Sequence, residues 1–125
     1  MGQMAAPTNR RHAGQQVEQA AARWLETRGL TLVASNQHAK GGEIDLIMRE
    51  GENLVFVEVR HRRRTDYGSP LETITPAKQR RIIQAARFYL HAQRLSCPCR
   101  FDVVGVTGTL PTLEFEWIRA AFDAY

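Results

Sequence analysis

The chain has 125 residues and a mass of 14.2 kDa, enough for one domain and little more. Its 43% hydrophobic and 24% charged content is that of an ordinary globular protein and excludes disorder throughout, and no run of about 18 apolar residues is available to cross a membrane as a helix. Seventeen basic residues against thirteen acidic give a net charge of +4 and a pI near 9.6; fifteen of the seventeen are Arg, whose planar fork suits phosphate and points toward a nucleic-acid partner.

Residues 1–12 read as a flexible basic N-terminus without the apolar core of a signal peptide, and residues 13–125 as one α/β domain. A first helix is predicted over 13–28, where Val17, Ala20, Ala21, Trp24 and Leu25 make one apolar stripe that Gly29 ends. Residues 30–35 suit a short strand. Gly41-Gly42 precedes two alternating segments, 43–49 and 54–61, joined around Glu50-Gly51-Glu52-Asn53, which is a hairpin signal. Residues 62–75 suit an irregular loop. Thr75-Pro76 then opens a second helix, with Thr as N-cap and Pro at the first helical position. That helix is predicted to run to about Arg94 with Ile82, Ile83, Ala86, Tyr89 and Leu90 on its apolar stripe. Strands near 100–107 and 112–117 follow, and a short C-terminal helix is expected after them. The order αβββαββ implies a mixed central sheet flanked by helices. Cys97 and Cys99 are too few for a structural zinc site and read as reduced thiols of a cytoplasmic protein.

The hairpin carries the informative chemistry. With the turn centred between Gly51 and Glu52, Asp45 faces Glu58, Glu43 faces Arg60 and Ile47 faces Phe56. The other face carries Ile44, Leu46 and Met48 against Val55, Val57, Val59 and His61, and is expected to be core. Carboxylates opposed across a strand pair, with Cβ atoms ~4.5–5.5 Å apart, repel one another. A shared proton or a bound cation relieves the repulsion, and an all-oxygen site with room for water suits Mg²⁺ or Mn²⁺. The competing reading is a solvated face on which Glu43–Arg60 and Asp45–Arg pairs are plain salt bridges.

Glu18 lies on the border of the first helix's apolar stripe, where it either reaches the sheet edge or remains a solvated helix charge. Gln79 falls near the centre of the second helix's stripe, so its amide needs a partner: a water, a ligand or a neighbouring backbone group. Residues 60–94 hold nine basic residues against Asp66 and Glu72, with Arg62-Arg63-Arg64 leaving the charged strand directly. Arg80, Arg87 and Arg94 repeat every seven residues along one helix border. Such runs are either solvated faces or, beside a carboxylate pair, a rim that draws in a polyanion.

Gly42-Glu43-Ile44-Asp45 followed by Phe56-Val57-Glu58-Val59-Arg60 resembles the PD-(D/E)XK nuclease superfamily with its restriction-endonuclease-like fold. More narrowly, the chain resembles the YraN-type endonuclease-like family, a likeness that extends over Gly14 to Glu18, Asn36, Gly68, Lys78-Gln79, 100–104 and Glu116-Trp117-Ile118. The resemblance implies that Asp45 and Glu58 ligate a divalent metal with help from the Val59 carbonyl, and that Glu18 is a further acid of the site. Arg60 stands where the superfamily motif has Lys; it suits charge stabilisation at phosphate but does not readily give up a proton. Lys78 and Gln79 would border the substrate. Asp102, on a strand with Arg100, reads as structural.

The expected function is a Mg²⁺- or Mn²⁺-dependent DNA endonuclease. Asp45, Glu58 and Glu18 would surround the metal, Glu43 would stand behind them, and Arg60 would clamp phosphate. Arg62, Arg63, Arg64, Arg80 and Arg87 would track the backbone, so recognition is directed by structure rather than by sequence. The alternative is a nucleic-acid-binding module that keeps the nuclease fold without turnover. A third reading, a protein–protein adaptor, rests on Phe88, which lies opposite its helix's apolar stripe and would be exposed or support a homodimer.

Overall fold

A computed structural model describes residues 9–39, 41–63 and 69–124, with side chains from residue 13 onward. The helices are α1 (Asn9–Glu26) and α2 (Pro76–Ala92). The strands are β1 (Thr31–Ala39), β2 (Gly42–Glu50), β3 (Asn53–Arg62), β4 (Cys99–Thr109) and β5 (Thr112–Phe122), and a 3₁₀ turn occupies Pro70–Thr73. The strands form one sheet in chain order; β3 and β4 are parallel and every other pair is antiparallel. A parallel neighbour needs a crossover, and α2 supplies it. This is the mixed α/β domain in αβββαββ order that the sequence implies.

The two helices cover opposite faces of the sheet. Val17, Ala21, Ala22 and Leu25 of α1 close over Leu46, Met48, Val55, Val57, Val104 and Val106. Ile82, Ile83, Ala85 and Ala86 of α2 close over Ile44, Ile47, Leu54, Phe56, Phe101 and Val103. Both faces of the β2–β3 hairpin are therefore core. This corrects the expectation that one face carries the hairpin's apolar residues and the other its charge: Ile47 and Phe56 are fully buried beneath α2. Asp45 and Glu58 lie at the end of the hairpin away from the turn, while Arg49, Glu50 and Glu52 lie beside it.

Two close approaches set how α2 and the 3₁₀ turn meet the sheet. A Cβ at Gly42 would lie 2.9 Å from the Arg81 carbonyl oxygen, and one at Gly105 would lie 2.2 Å from Pro70 Cγ. The N-cap reading of Thr75 holds, since its hydroxyl accepts from the Lys78 backbone N–H at 3.1 Å.

The boundaries differ in places. Helix α1 opens at Asn9 and ends at Glu26, and β1 continues to Ala39. Among the described residues no C-terminal helix follows; β5 runs on to Phe122 instead. Ile118 pairs with Val103, and Phe122 pairs with Phe101 and stacks on its ring at 5.1 Å between centroids. Burial against β4 outweighs the helix preference of Arg119-Ala120-Ala121.

Candidate functional site

The hairpin register is the predicted one from Glu50↔Asn53 up to Leu46↔Val57. One step further Asp45 would face Glu58, and there the regular ladder stops. The Val59 N–H, which a continued ladder would direct to the Ile44 carbonyl, donates to Asp45 Oδ2 at 2.8 Å. On the other side of β2, pairing with β1 skips Asn36 and Asp45, and Asn36 has φ +52°. Asn is among the few residues that tolerate that conformation.

Strand alternation breaks at the same point. Residues two apart on a regular strand share a face, yet Ile44 packs under α2 whereas Leu46 packs under α1. Asp45 thus stands at a dislocation between the two faces. Glu18 approaches it from α1, and Glu58, on the α2 face with Phe56, approaches it from β3.

Three carboxyl groups meet there, and all are pushed up from their usual range. Glu58, only 5% exposed, rises to about 8, first because burial penalises its charge and then because of the Asp45 charge; Lys78 and Arg60 oppose the rise. Glu18 rises to about 7 through burial and then Asp45, with the Asn36 amide opposing. Asp45 rises through burial, against the Val59 N–H and a hydrogen bond from Glu58. Both members of the pair thus hold a proton more firmly than an isolated carboxyl would. Glu18 Oε1 is buried without any hydrogen-bond partner.

That unpartnered carboxylate oxygen, within an all-oxygen donor set, is compatible with a hard divalent cation. Asp45 and Glu58 are the residues that would hold one. The N–H and C=O of one extended residue point to the same side, so the Val59 carbonyl faces Asp45 as its N–H does. Among the described residues no three Asp, Glu, His or Cys side chains form a ready-made cage. Mg²⁺ needs none, since one or two carboxylates and several waters suffice.

Cations stand on the α2 side. Arg60 donates from Nε to Thr73 Oγ1 and from Nη2 to the Thr73 carbonyl, both at 2.9 Å, and its Nη1 lies 3.4 Å from Glu58 Oε2. Lys78 Nζ lies 3.8 Å from the same Glu58 oxygen. Beside them a cleft of about 660 Å³ is lined by Val59, Arg60, His61, Arg62, Arg63 and Thr73. Arg62 donates to the Ser69 carbonyl at 3.0 Å, and Arg63 is exposed.

Other predicted residues lie apart. Glu43 does not pair with Arg60, because β2 leaves β3 beyond Leu46; it sits 3.6 Å from His38 Nδ1 and lines a second cleft with Glu18 and Asn36. Gln79 Nε2 donates to the Ile74 carbonyl at 3.2 Å, the backbone partner that was one of its three options. Arg80 and Arg87 line a separate cleft with Ile83, Gln84 and Ala124, and Arg87 donates to the Ala124 carbonyl. Arg64 and Gly68 lie outside the described residues. Asp102 is structural as expected: fully buried, it accepts from Arg100, Trp117 Nε1 and the Ala120 N–H. Sequence reasoning missed Thr73 as the anchor of Arg60 and the direct contact of Lys78 with Glu58. Neither has a local signal, since both depend on how the 3₁₀ turn and α2 dock on the sheet.

Comparison with known proteins places relatives beside this geometry. A model of the uncharacterised protein family UPF0102 matches residues 17–106. A UPF0102 protein of Chromohalobacter salexigens is 66% identical over 115 residues, covering 92% of this chain and 94% of the relative. One of Nitrosococcus oceani is 48% identical over 118 residues, covering 93% and 95%. The UPF0102 protein YraN of Salmonella newport is 47% identical over 117 residues, covering 91% and 86%.

Proposed function

The chain belongs to the UPF0102 family, and from the acids gathered at its sheet dislocation we propose that it is a divalent-metal-dependent endonuclease acting on DNA. The observation that carries this reading is the Asp45–Glu58 pair, two acids gathered at a buried dislocation of the sheet, with Arg60 and Lys78 beside Glu58. A buried like-charge pair is costly to stability, and such pairs gather where chemistry needs them. When bound, Mg²⁺ or Mn²⁺ would polarise a phosphoryl oxygen and acidify a coordinated water.

The chain's own residues do the rest. Asp45, held by the Val59 N–H, and Glu58 set the ligand geometry on rigid strands. Arg60, its fork tied to Thr73, keeps one edge of the guanidinium toward Glu58 and the cleft, where a phosphate would lie. Glu18 accepts or releases a proton near neutral pH, which suits it to orient the attacking water. In the reaction the water oxygen bonds to phosphorus and the bond from phosphorus to one ester oxygen breaks. The water loses a proton to solvent, and the departing oxygen gains one from solvent.

The test is cleavage of flapped or branched DNA by the purified chain with Mn²⁺ or Mg²⁺. Nicking is expected, and Asp45→Ala or Glu58→Ala should abolish it. Cleavage that survives both substitutions would sink the assignment. Salt-sensitive DNA binding with no nicking under either metal would instead support the binding module, the reading that Arg60 in place of Lys favours.

A further inference from the structure

We propose that Lys78 is the compact cation of this site, facing the phosphate from α2 in the part that Arg60 is held back from playing on β3. The inference rests on the nuclease reading above and assigns a role within the same site. Its first support is the commitment of Arg60. Two arms of its fork are spent on Thr73, and only Nη1 remains toward Glu58. A guanidinium pinned in this way is a wall of the site rather than a group that follows charge as it develops.

Lys78 differs on each count. Its ammonium lies 3.8 Å from Glu58 Oε2, the oxygen that Arg60 also approaches, so both cations converge on one metal-ligand candidate. Its side chain is 33% exposed, open enough to meet a substrate and close enough to feel the acids. Its backbone is fixed: the Thr75 cap takes the Lys78 N–H, Pro76 starts the helix, and Gly42 lets the Arg81 carbonyl come against β2. Lys78 is also one of only two lysines in a chain that uses Arg for fifteen of its seventeen cations. An ammonium is a small point charge with three rotatable donors, able to approach a non-bridging phosphate oxygen that an arginine fork tied elsewhere cannot follow. Lys78 hydrogen-bonds the oxygen that gains charge while the water–phosphorus bond forms and the ester bond breaks.

The experiment compares the full chain with Lys78→Met and Arg60→Met. Circular dichroism checks that each variant is folded, single-turnover cleavage of a flapped duplex with Mn²⁺ reads the chemistry, and calorimetry reads Mn²⁺ affinity. Lys78→Met should lose about 100-fold or more in rate, the scale of removing one transition-state donor, while DNA affinity changes only a few-fold. Arg60→Met should lose less. Mn²⁺ should bind Lys78→Met about threefold to tenfold more tightly, because a unit charge beside Glu58 has been removed. A Lys78→Met variant that cuts within about threefold of the parent rate overturns the assignment while leaving the nuclease reading intact. A parent that binds Mn²⁺ but cuts nothing overturns the nuclease reading. Where the parent does cut, calorimetry gives the second readout of Lys78: unchanged Mn²⁺ affinity in Lys78→Met overturns its placement beside the metal ligands, and tighter binding supports it. A parent that binds no Mn²⁺ overturns both.

Discussion

Glu58 and Asp102 are both buried acids on neighbouring parallel strands, and their surroundings separate their roles. Asp102 is saturated by Arg100, Trp117 and the Ala120 amide, so its charge is a joint between β4 and β5. Glu58 has two cations at 3.4 and 3.8 Å and another acid against it, and it rises to about 8. A carboxyl whose folded pKa lies above its unfolded value near 4.5 holds its proton more firmly when folded. Its contribution is complete below the unfolded value and is lost as pH rises toward about 8, so stability without metal should fall across that window. Glu58→Gln should therefore melt several °C above the parent at pH 8.5 without metal, and near it at pH 4.5. Scanning calorimetry at the two pH values reads this. Equal melting temperatures at pH 8.5 would show that Glu58 is not held protonated. The identity of the acid pair was legible from hairpin register alone. The break in alternation that admits Glu18 was not, because it depends on the left-handed backbone of Asn36 across the ladder.

At the level of elements, the site exists because α2 lies hard against the start of β2. Gly42→Ala would put a Cβ 2.9 Å from the Arg81 carbonyl, backbone against backbone, so helix or strand must shift. Urea unfolding of this variant should show a loss of roughly 1–3 kcal/mol. The cleavage rate should fall with it, as Lys78 moves off Glu58. An unchanged urea midpoint would mean that the helix seat is looser than its geometry implies. The Thr75-Pro76 start of α2 was readable because capping is local chemistry. The continuation of β5 was not: the run from Ile118 to Phe122 has no strand signal of its own and is extended because Phe101 and Val103 offer it a surface to cover.

For the molecule as a whole, the +4 charge is distributed unevenly, and the Arg60–Arg63 cleft opens next to the acids. DNA binding should weaken linearly in log K against log salt. Arg63→Gln, at an exposed position, should flatten that slope by about 0.9, one phosphate contact. Binding titrations at several salt concentrations check this, and an unaltered slope would take Arg63 out of the interface. Arg80 and Arg87, from the seven-residue repeat of the second helix, border another cleft with Ile83, Gln84 and Ala124. Phe88 is 51% exposed, as its place opposite the stripe implied, and among the described residues no helix is long and apolar enough to cross a membrane. Periodicity, capping and turn chemistry act between residues near in sequence, so the chain by itself determined its two helices and the hairpin register from Glu50↔Asn53 to Leu46↔Val57. Which cation serves Glu58, where β2 parts from β3, and that both hairpin faces are buried were decided only by docking, since each depends on contacts between segments whose separation carries no local signal.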